Sequence, residues 1–335
     1  MRAIVVAAAG GPDQLRLAEL PAPRPGPGEI QVAVRYAGVN FADTMLRRDA
    51  YFIPARFPMV PGVEVAGYVS GVGPQVSGWR DGERIAGVRL DGAGGYAEYT
   101  LLDASCAARV PEGLALDRAA ALLNQGLTAQ GLIEAAPEIG RGASVLVTAA
   151  GGGVGGLVLQ LARRAGAGRI LAAASDPSKI DLAGKLDAVL LDYGDPEWGR
   201  AARMASDGGG VDVFIDGVGG EVRATAPRVV AVGGRILFYG AASGASGVDE
   251  RVLAQVMGKN QSLTGFSVVA AINRDRSWLG RTLEGLFALA MADELAIPIN
   301  PPIPLARAAE AHAMIEGRGS RGKILLQIQT TEMKP

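Results

Sequence analysis

The chain has 335 residues, of which 49% are hydrophobic and 20% charged, with a net charge of −1. This excludes a disordered chain, and near-neutrality without a basic block excludes a nucleic-acid partner. The single cysteine, Cys106, excludes an intrachain disulfide and a multi-cysteine zinc site, while the length argues for two domains.

The opening run Met1–Val6 is too short for a signal peptide, and no stretch of about 18 uninterrupted apolar residues predicts a membrane span. With one cysteine, this predicts a cytoplasmic protein. Residues 1–122 read as β-rich. Pro21–Gly28 is a proline- and glycine-rich surface loop, and Ile30–Tyr36 alternates as a half-buried strand does. Val63–Val72 and Arg84–Val88 read as further strands between Gly/Pro/Asp turns. From residue 123 to 266 strands and helices alternate. The strands are Ser144–Thr148, Arg169–Ala174, Ala188–Leu191, Val211–Ile215, Arg235–Tyr239 and Ser262–Phe266. Helices are predicted to start near Gly153, Pro177, Pro196, Gly220 and Asp249, the order of a parallel sheet with crossovers. The tail, 267–335, carries helices near Leu279–Ala292 and Ala308–Ile315 and a strand Lys323–Ile328.

The run Thr148-Ala149-Ala150-Gly151-Gly152-Gly153-Val154-Gly155-Gly156 follows a buried strand and opens a buried helix. That context makes it a dinucleotide-binding turn, in which bare backbone N–H groups at Gly152, Gly153 and Val154 face a pyrophosphate. The place about 20 residues on, where an acid would hold the ribose 2′-OH, falls near Ala174. With no charge there to repel a 2′-phosphate, and with Ser175 as donor and Lys179 as a point charge, the pattern favours NADPH. Asp176 argues the other way, and Pro177 suggests that Ser175 or Asp176 caps a helix.

Nearly end to end, the chain resembles the zinc-free quinone oxidoreductase (ζ-crystallin-like) branch of the medium-chain dehydrogenase/reductase superfamily. The resemblance is carried by Gly38-Val39-Asn40-Phe41-Ala42-Asp43, Pro61-Gly62-Val63-Glu64-Val65-Ala66-Gly67, Gly94-Gly95-Tyr96-Ala97-Glu98-Tyr99 and Gln125-Gly126-Leu127-Thr128-Ala129. It implies an α/β fold: a GroES-like β-rich domain (1–122 and 267–335) for substrate and a Rossmann doubly wound parallel sheet (123–266) for the dinucleotide, with the active site in the cleft between them. It also implies a homodimer formed through edge strands near 235–246 and 262–266. Zinc-dependent relatives carry a cysteine at the place of Asn40 and a His-Glu pair at Val63-Glu64, so no metal is expected. The one histidine, His312, reads as a solvated side chain of a surface helix.

Further cofactor contacts are implied by the same resemblance. Thr128 approaches the nicotinamide; Lys179 and Tyr193 hold the 2′-phosphate and adenosine; Val218 sits by the adenine ribose. Phe238, Tyr239, Gly240, Phe266, Ser267 and Val268 line the nicotinamide, and Lys323 belongs to a cofactor-facing tail motif. Asn40 is the first candidate donor to a carbonyl oxygen, or it positions the nicotinamide ribose. Tyr51 is the candidate donor to substrate oxygen, and Asp43 orients its loop. Met45 replaces a second tyrosine common in relatives and makes the pocket more apolar. The expected activity is hydride transfer from NADPH to a quinone or an activated α,β-unsaturated carbonyl. The alternatives are an enoyl reductase for an acyl-thioester or polyketide intermediate, and a NADPH-binding protein with little turnover.

Overall fold

The computed structural model describes residues 1–180, 184–245, 247–317 and 319–328, apart from the Lys179 side chain. The chain forms two compact units: Thr128–Ala270, and Met1–Leu127 together with the described residues from Ala271 onward.

The first unit is built on a mixed sheet whose strands run in the order Ile303–Pro304, Ile324–Gln327, Glu29–Val39, Glu64–Val72, Arg84–Val88 and Ala107–Arg109. Tyr99–Asp103 also pairs with Glu29–Val39. Ile30, Val32, Val34, Val65, Val69, Ile85, Leu102 and Ile324 form the core. Within Ile30–Tyr36 the burial follows the predicted alternation at Ile30, Gln31, Val32, Val34 and Arg35 but not at Ala33, and beyond that run Ala37 and Val39 are buried as well. The physical reason is a second cover, because helix Leu116–Leu122 packs on this strand and on Glu64–Val72. The predicted tail strand forms at Ile324–Gln327 and pairs antiparallel with Tyr36–Val39.

The second unit holds six parallel strands in the order Ala188–Asp192, Arg169–Ala174, Ser144–Val147, Val211–Asp216, Val230–Phe238 and Ser262–Gly265. The order reverses between Ser144–Val147 and Val211–Asp216. Such a switch point opens a crevice at the carboxyl ends of the strands. Helices Gly153–Ala165, Trp198–Ala205, Gly220–Val229 and Glu250–Gly258 start close to their predicted places. At Pro177 the described residues show only the short 3-10 turn Pro177–Lys179. Among the described residues no helix is long and apolar enough to cross a membrane.

Candidate functional site

In the first unit, strand Glu29–Val39 ends at Asn40, which caps helix Phe41–Arg47. The two residues bond reciprocally: the Asp43 N–H donates to the Asn40 main-chain carbonyl at 3.0 Å, and the Asn40 N–H donates to Asp43 Oδ2 at 2.8 Å. The Asn40 side chain also enters a buried cluster. Its Nδ2 donates to Glu64 Oε1 at 2.8 Å, and its Oδ1 accepts from Lys323 Nζ at 3.0 Å and Asn124 Nδ2 at 3.1 Å. An amide nitrogen carries two hydrogens, so one Asn40 N–H remains for a further acceptor.

Glu64 is fully buried, with Oε1 taken by Lys323 and Asn40 and Oε2 by the Asn124 N–H at 2.6 Å. Room for this carboxylate comes from Gly38, since a Cβ there would collide with the Glu64 side chain. Lys323 is 1% exposed. It is not a solvated lysine: its ammonium meets Glu64, Asn40 and the Val39 carbonyl.

These residues do not fit zinc. Of the positions that hold it in zinc-dependent relatives, only Glu64 keeps a ligand type, and both its oxygens are occupied. Among the described residues no group of three or more His, Cys, Asp or Glu side chains is placed to hold a metal ion.

Tyr51 is half-buried and stacks at a tilt on exposed Phe52, with ring centroids 4.1 Å apart. Burial first, and then the charge of Asp43, raise its hydroxyl pKa, so Tyr51 is a donor at neutral pH. His312 corrects the sequence expectation. It is 0% exposed, lies 3.0 Å from Arg47 Nη1 and 3.2 Å from the Tyr96 hydroxyl, and is therefore a core residue.

In the second unit, the glycine turn closes on itself. Gly152 N–H donates to the Ala149 carbonyl at 2.9 Å, and a Cβ on Gly155 would strike the backbone of Ala149 and Ala150. Helix Gly153–Ala165 begins with no side-chain cap on Gly152. Its first N–H groups, at Gly153 and Val154, therefore offer a positive cradle that suits a pyrophosphate. Ser175 is exposed beyond buried Ala174, and Asp176 caps the next turn by accepting from Ser178 N–H and Oγ. The cap reading of Asp176 thus holds. The Lys179 side chain lies outside the described residues.

Tyr193, Val218, Tyr239, Gly240 and Phe266 each follow the last residues of a parallel strand, and Phe238 ends one. They lie along the same carboxyl edge as the glycine turn, with Ser267 and Val268 directly after Phe266. Thr128 lies within helix Asn124–Glu134 and is 7% exposed; one turn on, Gly131 packs directly against the Phe266 ring.

Sequence reasoning missed the residue that organises this edge. Asp216 is fully buried; its Oδ1 accepts from Thr148 Oγ1 at 2.8 Å and Val218 N–H at 2.9 Å, and its Oδ2 from Arg223 Nε at 2.8 Å and Gly219 N–H at 3.0 Å. Arg223 lies over the Phe238 ring at 4.5 Å and donates to the Gly240 carbonyl. The available signal was a charged residue ending the apolar run Val213–Ile215, directly before Gly217-Val218-Gly219.

A GroES-like mixed sheet and a six-stranded parallel sheet with a glycine cradle at its switch point define a nucleotide-dependent oxidoreductase architecture. Residues 26–112 match the alcohol dehydrogenase GroES-like domain, and residues 153–281 match the zinc-binding dehydrogenase family. A quinone oxidoreductase of Pseudomonas aeruginosa is 32% identical over 325 residues, covering 96% of this chain and 98% of that one. A 2-haloacrylate reductase of Burkholderia is 31% identical over 332 residues, covering 97% and 98%. The crystal structure of Escherichia coli quinone oxidoreductase complexed with NADPH superposes with a TM-score of 0.90 at 28% identity, covering 98% of this chain and 100% of that one. The chain belongs to the medium-chain dehydrogenase/reductase superfamily, in its quinone oxidoreductase branch.

Proposed function

We propose that this protein is a zinc-independent, NADPH-dependent reductase of quinones or activated α,β-unsaturated carbonyls. The observation that carries the reading is the saturated Glu64 carboxylate, with an ammonium and two N–H groups where a metal would need free lone pairs. Polarisation of the acceptor then falls to hydrogen bonding. NADPH, when bound, supplies the hydride from its nicotinamide ring. Gly153 and Val154 hold the pyrophosphate through their N–H groups, with Gly152, whose own N–H is taken by Ala149, leaving room beside them, and Ala174, Ser175, Lys179 and Tyr193 accommodate the 2′-phosphate end. Val218, Phe238, Tyr239, Gly240, Phe266, Ser267 and Val268 shape the edge along the nucleotide. Asn40 presents its remaining N–H, and Tyr51 donates to the oxygen on which negative charge develops.

We assign substrate binding to residues 1–122 with 267–335, and the dinucleotide to 123–266. Among the described residues strand Ser262–Gly265 is paired on one side only, and we assign this edge to a homodimer.

The test is oxidation of NADPH and NADH side by side with a benzoquinone, a phenanthrenequinone, a 2-alkenal, a cyclic enone and a crotonyl thioester. Turnover with NADPH and a quinone, faster than with NADH, is expected. The likeness to a 2-haloacrylate reductase favours the activated double bond within this reading, which preference for the enal or enone would support; preference for the thioester would favour an enoyl reductase instead. Tight NADPH binding without turnover on any acceptor would overturn both.

A further inference from the structure

Four side chains that this reading leaves unused form one directed chain of hydrogen bonds in the first unit. Arg47 Nη1 lies 3.0 Å from His312 Nδ1, His312 Nε2 lies 3.2 Å from the Tyr96 hydroxyl, and that hydroxyl lies 3.2 Å from Asp43 Oδ2. The chemistry fixes every direction. A guanidinium only donates, so Nδ1 accepts. A neutral ring then carries its hydrogen on Nε2 and gives it to the Tyr96 oxygen, leaving the Tyr96 hydrogen for Asp43. Burial, with Arg47 and Arg48 nearby, lowers the His312 pKa to about 3, which keeps the ring neutral. Asp43 is 0% exposed, and its Oδ2 also accepts the Asn40 N–H. Its Oδ1 is buried with no hydrogen-bond partner among the described residues.

We propose that Asp43 is a positioning residue: Tyr96, aligned by His312, aims the Asp43 carboxyl at the Asn40 backbone, and the charge on that carboxyl sets how firmly Asn40 is held. The kinetic consequence rests on the role given above to Asn40. An ionised carboxylate holds both donors by charge-assisted bonds, and a neutral acid holds them more weakly. The groups facing Asp43 come from several elements. Burial raises its pKa; the Asn40 N–H, the Lys323 ammonium and the Tyr96 hydroxyl lower it; Glu64 raises it; the result is about 7. Tyr51 shares its field, while Arg47 and His312 stand behind Tyr96. Asn40 is therefore gripped above neutrality and loosened below it.

The experiment is an NMR titration of carboxyl-labelled aspartate together with the Asn40 backbone amide, in the wild-type chain and in Tyr96→Phe, with catalytic efficiency measured over the same pH range. In the wild type, the Asp43 carboxyl and the Asn40 amide are expected to titrate together near neutrality, and efficiency to fall with the same midpoint as pH drops. Tyr96→Phe removes one donor to the carboxylate and should move all three midpoints up by about one pH unit. Asp43→Asn should abolish the acid limb. If it fails to fold, Tyr96→Phe decides alone. An Asn40 amide that stays still while Asp43 titrates would overturn the proposal, as would midpoints that ignore Tyr96→Phe. A chain without turnover would sink the reductase reading and leave the amide titration to decide this one.

Discussion

Lys323 and Glu64 are each fully buried, so neither charge is tolerable alone. Lys323→Met should cost roughly 3–5 kcal/mol in denaturant unfolding, because it strands the carboxylate. Adding Glu64→Gln should recover part of that loss, and a single-variant cost below about 1 kcal/mol would show that the pair does not anchor the site. Tyr51 is a different case, half-buried and outside the cluster. Tyr51→Phe is expected to lower kcat by at least about tenfold while leaving NADPH affinity within twofold; an unchanged kcat would remove its donor role. Asn40 was legible from its place in a short motif. His312 was not, since its partners Tyr96 and Arg47 are 216 and 265 residues away in the chain. Nothing local to an alanine-rich helix announces such contacts, so a lone polar residue there reads as solvated.

The elements easiest to read were the apolar strands of the second unit, because parallel strands covered on both faces become unbroken apolar runs. The glycine turn was legible for a related reason: no side chain fits between it and the helix it opens. Gly155→Val should press its side chain into the Ala149 carbonyl, weaken NADPH binding at least tenfold in a fluorescence titration, and lower the melting temperature. Binding at wild-type affinity would mean that the turn is not the pyrophosphate site. Pattern served less well at Pro177, where a single 3-10 turn is described, and at Ala33, whose strand gains a second cover from a helix far along the chain. Edge strand Ser262–Gly265 leaves backbone groups open on one side, with Val232 and Met257 exposed in neighbouring elements. Light scattering at micromolar concentration should give the mass of a dimer, and a monomer would reject that pairing.

At the scale of the molecule, two of the buried titratable groups, His312 and Asp43, oppose each other. His312 has a folded pKa of about 3 against 6.5, so the unfolded chain binds the extra proton between those values. Its contribution is full above 6.5 and is lost as pH falls toward 3. Asp43 has a folded pKa of about 7 against 3.8, so the folded chain keeps the extra proton, and its contribution is full below 3.8 and lost as pH rises through 7. Between about pH 4 and 6.5 the slopes offset one another. Relative to wild type, Asp43→Asn should lose melting temperature as the solution is acidified through this window, and His312→Gln should gain it. Parallel curves for both variants would refute the assignment. The order of the chain has a further consequence, for biosynthesis. The strand Glu29–Val39 lies between Glu64–Val72 and Ile324–Gln327, so its sheet waits for a partner made nearly 300 residues later. Throughout that interval Glu64 has no ammonium to meet, whereas the contiguous second unit already has all its strands. The second unit can therefore close during synthesis while the first still waits.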